Sequence, residues 1–196
     1  MFVRRWGLTT INLHQDLTVP ASDWVVQHAT KIKPGGRVLD YACGSGRHTF
    51  YLAQLGFQVL AIDRDQASLD QIQQTSAQKH PDLAIDTLNL DLESELWAAV
   101  ELGAFDAVVV TNYLYRPHLQ KLPTLLKPEG VLIYETFAVG NEAFGKPSNP
   151  DFLLQPNELL NFAEKMRILA YEDLVVSSPK MACIQRVCAV PLQSKV

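Results

Sequence analysis

The sequence predicts an α/β fold: a doubly wound, mostly parallel sheet closed by an antiparallel hairpin at its C-terminal end. Three observations carry this. Short apolar runs alternate with amphipathic stretches, the pattern that βαβ units produce. The strand interiors (VLDYA, VLAI, DAVVV, VLIYE) are nearly continuously hydrophobic, as strands covered by helices on both faces must be. Turn signals, Pro34-Gly35-Gly36 and Lys127-Pro128-Glu129-Gly130, fall immediately before strands.

Taken in order, the segment up to Val19 has no pattern and reads as a flap or an edge element. Parallel strands are expected at Arg37–Ala42, Gln58–Asp63, Leu83–Asn89, Phe105–Thr111 and Gly130–Phe137. Helices fall between them at about Arg47–Leu55, Gln66–Gln78, Ser94–Leu102 and Arg116–Leu125. The second helix shows its apolar side at Leu69, Ile72 and, more weakly, Ala77. Gly56 can take the left-handed conformation that ends the first helix. Ala138–Gln155, rich in Gly, Pro and Asn and without period, reads as one long loop, and such loops are commonly functional. A helix then starts at Pro156 and runs to about Lys165. Two last strands, Arg167–Val175 and Met181–Val190, joined by Ser177-Ser178-Pro179, form the closing hairpin and bring the sheet to seven strands.

Composition bounds the rest. A length of 196 residues favours one domain spanning 1–196, with 1–19 as its N-terminal flap. Hydrophobic residues at 47% and charged ones at 19% exclude a disordered chain. A formal net charge of −4 leans against a protein that grips a long phosphate backbone, so nucleic acid is not the expected partner. Three cysteines, Cys43, Cys183 and Cys188, have neither disulfide-framework nor zinc spacing, and no metal site is expected. Cys183 and Cys188 lie five positions apart on one strand and so point to opposite faces. With no secretory signal and no membrane-length apolar run, a reducing cytoplasm is the expected compartment.

The chemistry concentrates at Val38-Leu39-Asp40-Tyr41-Ala42-Cys43-Gly44-Ser45-Gly46, a strand running into a small-residue turn that opens a helix. Glycine lets a ligand approach backbone where a Cβ would collide, and the helix start offers unsatisfied N–H groups. Asp63 ends the second strand nineteen residues after Gly44, the position at which an acid accepts both ribose hydroxyls of an adenosine-containing cofactor. Asp91, in NLDLE after the third strand, can accept an adenine amino group.

The stretches VLDYACGSGRHTFYLA, AIDRD, NLDLE and FDAVVVTNYLYRP resemble the successive motifs of the class I S-adenosylmethionine-dependent methyltransferases, over about Val38 to Phe137. The resemblance implies a Rossmann-like sheet and S-adenosylmethionine as cofactor. It implies that Asp40 and the backbone of Ala42, Cys43, Gly44 and Gly46 hold the methionine end. Asp63 would hold the ribose with Arg64 flanking the adenine, Asp91 and the Leu92 amide would read the adenine edge, and Asn112 and Tyr113 would line the pocket near the sulfonium. Ala42 departs from the family's usual first glycine. A dinucleotide turn would want a third glycine where Thr49 stands, which disfavours NAD.

Methyl transfer from a sulfonium is mainly positioning, and a general base is needed only for an acceptor that keeps its proton at neutral pH. Tyr113, Tyr115 and His118, after the fourth strand, and Glu135, at the end of the fifth, are the catalytic candidates; Arg116 and His14 are further candidates for the same mouth. His48 is read as structural, His28 and His80 as surface residues. Asn-Pro-Pro-Tyr is absent after the fourth strand, which disfavours a flipped-base substrate. Gly140–Pro150, with Phe144 and Lys146 between Gly140, Gly145 and Pro147, suits a segment folding over a substrate. In size and architecture the chain resembles the small tellurite-resistance and thiopurine-methylating enzymes, which implies a small-molecule acceptor. Two alternatives stay open: a protein or RNA methyltransferase acting with a partner, and a non-catalytic S-adenosylmethionine-binding module.

Overall fold

The computed structural model describes residues 20–94 and 101–192. Its strands are β1 (Arg37–Tyr41), β2 (Gln58–Asp63), β3 (Ile85–Asn89), β4 (Phe105–Thr111), β5 (Leu126–Phe137), β6 (Met166–Val176) and β7 (Ala182–Pro191). They form one sheet in the order β3-β2-β1-β4-β5-β7-β6. The first five strands pair in parallel, and β7 runs antiparallel to both β5 and β6. The chain works outward from β1 to β3 and then crosses back to β4. The crevice at the carboxyl ends of β1 and β4 is therefore the switch point, where doubly wound sheets bind ligands.

Side chains alternate across the central strands and feed two cores. On one face Leu39, Tyr41, Val108, Val110 and Tyr134 pack under Leu119 and Phe162, from the helices α4 (Arg116–Leu119) and α5 (Glu158–Phe162). On the other face Val38, Ala107, Val109 and Ile133 pack under Trp24 and Leu52, from α1 (Asp23–His28) and α2 (Arg47–Gln54). The remaining helix, α3 (Gln66–Lys79), buries Leu69 and Ile72 against Phe50 and Ala61. Ala77, expected on that inward side, is exposed, because the i, i+3, i+7 stripe from Leu69 runs through Ile72 and Ser76.

Several elements differ from the expectation for identifiable reasons. The helix expected over Arg116–Leu125 splits into α4 and a 3-10 turn at Leu122–Leu125, because Pro123 lacks the N–H that a continuous helix needs. Strand β5 starts at Leu126, which pairs with Phe105 before a bulge. β3 is an edge strand with Asp86, Leu88 and Asn89 exposed, so it is not covered on both faces. Helix α1 was not expected; Ser22 caps it by accepting the Trp24 N–H. His28, expected at the surface, is 3% exposed and sits edge-on to Trp24 at 4.1 Å. The segment up to Val19, His14 included, and most of the helix expected over Ser94–Leu102 lie outside the described residues. The long loop closes at its base, where the Val139 N–H donates to Leu154 and the Leu154 N–H to Phe137. No described helix is long and apolar enough to cross a membrane.

Candidate active site

The turn after β1 is built from three left-handed residues, Ala42 (φ 58°), Gly44 (φ 52°) and Gly46 (φ 82°). Glycine adopts this conformation freely, whereas Ala42 holds it at a cost of about 1–2 kcal/mol. The two glycines serve different ends. A Cβ on Gly46 would lie 2.7 Å from the Ile72 side chain, so Gly46 allows α3 to approach. A Cβ on Gly44 would meet nothing within 4 Å, so Gly44 borders open space. That open turn is where a bound ligand can approach the backbone.

Asp63 is fastened to this turn. Its Oδ2 accepts the Gly44 N–H at 2.8 Å and its Oδ1 accepts the Asp65 N–H at 2.9 Å. Each oxygen keeps a further lone pair, so the carboxylate can still accept a pair of vicinal hydroxyls. Arg64 pairs with Glu93 at 3.0 Å, linking the loop after β2 to the loop after β3. Asp91 is exposed in that second loop and accepts the Glu93 N–H at 3.0 Å, while Leu92 is buried beside it. The loop ends expected to hold an adenosine thus stand next to one another.

Asp40 is 1% exposed and turned toward the start of α2, where the Thr49 hydroxyl donates to it at 2.6 Å. Burial pushes its carboxyl up to about 6; the Thr49 hydrogen bonds and the Arg47 charge oppose that. At 1% exposure it has next to no surface left for direct contact with a ligand.

The four catalytic candidates separate into two groups. Tyr113 and Tyr115 donate their hydroxyls to the Leu92 and Glu93 carbonyls at 3.4 and 2.9 Å. His118 is buried, and its Nδ1 lies 3.0 Å from the Leu92 carbonyl, so that nitrogen carries the proton. All three brace the loop after β3. Arg116 is committed to structure as well, clasping Glu158 with two bonds of 2.7 and 2.8 Å and the carbonyls of Asp151 and Leu153. Glu135 alone of the four lines the cavity of about 540 Å³ beside the switch point.

The polar residues lining that cavity also include Ser22, Arg47, Asn112, Lys180 and Arg186. Glu135 accepts from the Ser22 hydroxyl at 2.7 Å and from Arg186 at 3.2 Å. Arg186 stands opposite both Glu135 and Glu172 across adjacent strands and lies over the Trp24 ring, 4.7 Å from its centroid. His48, on α2, accepts the Ser22 N–H at Nε2, which places its proton on Nδ1 for Thr111. Burial, helped by the Arg47 charge, holds its pKa down to about 3, so it is neutral with both nitrogens engaged. Asn112, left-handed at φ 55°, donates its N–H to the Glu135 carbonyl. Gly140–Pro150 does not contribute to the walls of this cavity. Ser22, Arg47 and Arg186 were not picked out from the sequence; only Arg47, directly after the glycine turn, stood where proximity could have flagged it. Among the described residues no cluster of His, Cys, Asp and Glu could hold a metal.

Residues 38–130 match the family model described as a methyltransferase domain. A Bacillus subtilis protein named as a methyltransferase, YqeM, is 30% identical over 126 residues, 59% of this chain and 48% of that protein. A tRNA U34 carboxymethyltransferase from Alcanivorax borkumensis is 34% identical over 128 residues, 60% of this chain and 38% of that protein. The chain thus spans about half or less of the length of these relatives. In fold it is similar to TehB from Haemophilus influenzae, with a TM-score of 0.73 and 22% identity over 86% of this chain and 61% of that one.

Proposed function

We propose that the protein is a class I, S-adenosylmethionine-dependent methyltransferase that transfers the cofactor's methyl group to a small-molecule acceptor in the cavity beside Glu135, a reading supported by the match of residues 38–130 to a methyltransferase domain. The observation that carries this reading is the bond from the Gly44 N–H to Asp63. It joins the glycine turn and the ribose-binding acid into one rigid cradle, with open space at Gly44. When bound, S-adenosylmethionine supplies a methyl group made electrophilic by its sulfonium.

The protein's own residues orient and enclose. Asp63 takes the ribose hydroxyls, with Arg64, Asp91 and Leu92 around the adenine. The turn Ala42–Gly46 takes the methionine end, and Asp40 supplies negative charge behind it. Tyr113, Tyr115 and His118 hold the adenine-side loop in place instead of meeting the acceptor. Asn112 and Glu135 face the acceptor, with Ser22 and Arg186 fixing the Glu135 carboxylate. His48 has no lone pair left to take a proton, so an acceptor proton leaves to Glu135 or to water.

Calorimetry with S-adenosylmethionine, S-adenosylhomocysteine and NAD tests the cofactor. Binding of NAD alone would refute the reading. Asp63→Ala removes two hydrogen bonds to a charged group, each worth about 1.5–3 kcal/mol, so S-adenosylmethionine binding should weaken by about 100-fold or more. Incubating the protein with methyl-labelled cofactor and fractionated cell extract separates an enzyme from a binding module, and label in the small-molecule, protein or RNA fraction identifies the acceptor class.

A further inference from the structure

Of the cations on the cavity wall Lys180 is exposed to water, and Arg47 is the one in the interior whose chemistry the reading above leaves unused. It is the first residue of α2, half-buried, and faces the same cavity as Glu135 and Phe137. Glu135 and Asp40 reach it through charge alone, and both acids are already served. Glu135 takes Ser22 on one oxygen and Arg186 on the other, and Asp40 takes Thr49. Arg186, the neighbouring cation, spends its donors on Glu172 and Glu135. The Arg47 fork is thus left facing the cavity with its donors open. Partial burial makes an unanswered guanidinium costly there, and a planar fork matches a carboxylate in two parallel bonds. The same cavity carries an apolar stretch of wall: Phe137, Leu174, Val176 and Ile184.

We propose that the methyl acceptor is a small organic acid, with its carboxylate held by Arg47 and its apolar body against Phe137, Leu174, Val176 and Ile184. The proposal rests on the methyl-transfer reading and adds the acceptor's chemical class to it. A carboxylate could also come from the methionine end of the cofactor. Arg47 lines the same cavity as these four residues of β5, β6 and β7, whereas none of Ala42–Gly46 lines it, and on that ground the fork is given to the acceptor.

The test is equilibrium binding to the full chain saturated with S-adenosylhomocysteine. Benzoate and phenylacetate serve as probes against benzamide and phenylacetamide. The acids should bind and the amides should bind about 10- to 100-fold more weakly. Arg47→Gln should remove most of that difference, and Arg47→Lys should keep part of it. The affinities of S-adenosylmethionine and decarboxylated S-adenosylmethionine should keep their ratio in Arg47→Gln. Acids and amides that bind alike, or not at all, would overturn the proposal while leaving cofactor binding intact. A loss of S-adenosylmethionine affinity, with the decarboxylated form unaffected and benzoate binding unchanged, would give Arg47 to the cofactor and overturn it as well. Failure of the wild-type protein to bind S-adenosylhomocysteine would instead sink the methyl-transfer reading beneath it.

Discussion

Replacing Asp40 by Asn isolates the electrostatic cost of the charge behind the glycine turn. Burial lifts the Asp40 carboxyl from its ordinary 3.8 to about 6 in the folded protein. The folded state therefore holds a proton that the unfolded chain has already released between those two values. The stabilisation is fully present below 3.8 and is lost as pH rises through 6. At 1.36 kcal/mol for each pH unit, the gap is worth about 3 kcal/mol. Asn cannot ionise, and its carbonyl can still accept the Thr49 hydroxyl. It accepts less well from the Thr49 N–H, a loss of about 1 kcal/mol that does not vary with pH. Urea denaturation of both proteins, without cofactor, should show the variant gaining about 3 kcal/mol on the wild type between pH 3.5 and pH 7.5. A stability difference that stays flat across that range would refute the assignment of a buried, strained carboxylate. The cofactor arm has the opposite sign. Wild-type affinity for cationic S-adenosylmethionine should rise with pH through about 6, and Asp40→Asn should lose that rise.

The other variants probe the turn and its surroundings. Ala42→Gly relieves a left-handed alanine and should stabilise the protein by about 1 kcal/mol, read as a rise in Tm of about 2–4 °C. Gly46→Ala drives a methyl into Ile72 and should cost about 1–3 kcal/mol; Ile72→Val in the same chain should recover part of it, and no recovery would argue against the contact. His48 is neutral in the folded state with a pKa of about 3, so the unfolded chain gains its proton first as pH falls below 6.5. His48→Gln should therefore lose less stability than the wild type between pH 6.5 and pH 3, measured by the same denaturation series. Arg116→Ala releases Glu158 and the Asp151 and Leu153 carbonyls, and limited proteolysis should then cut faster within 140–155.

The sequence by itself determined the sheet and which loops meet at its carboxyl edge. Strand runs, punctuating glycines and the acids Asp40, Asp63 and Asp91 are local features whose spacing survives in the fold, because each sits at a fixed place on its own βα unit. Even the strain at Ala42 was legible as a missing glycine. The cavity beside Glu135 was decided only by tertiary structure. Tyr115 and His118 follow β4 in the chain, yet α4 turns them toward the Leu92–Glu93 loop. Glu135 gains its character from Arg186, 51 residues away, which the antiparallel pairing of β5 and β7 brings directly opposite. Ser22 reaches the same carboxylate from 113 residues away, through a helix the pattern did not announce. Which side chains share a cavity depends on register and on helix ends meeting across the sheet, and neither has a signature in local spacing. That is why the glycine turn joined to Asp40, Asp63 and Asp91 could point to the cofactor, while the place of Arg47, the residue after the turn, emerged only when the cavity wall was assembled.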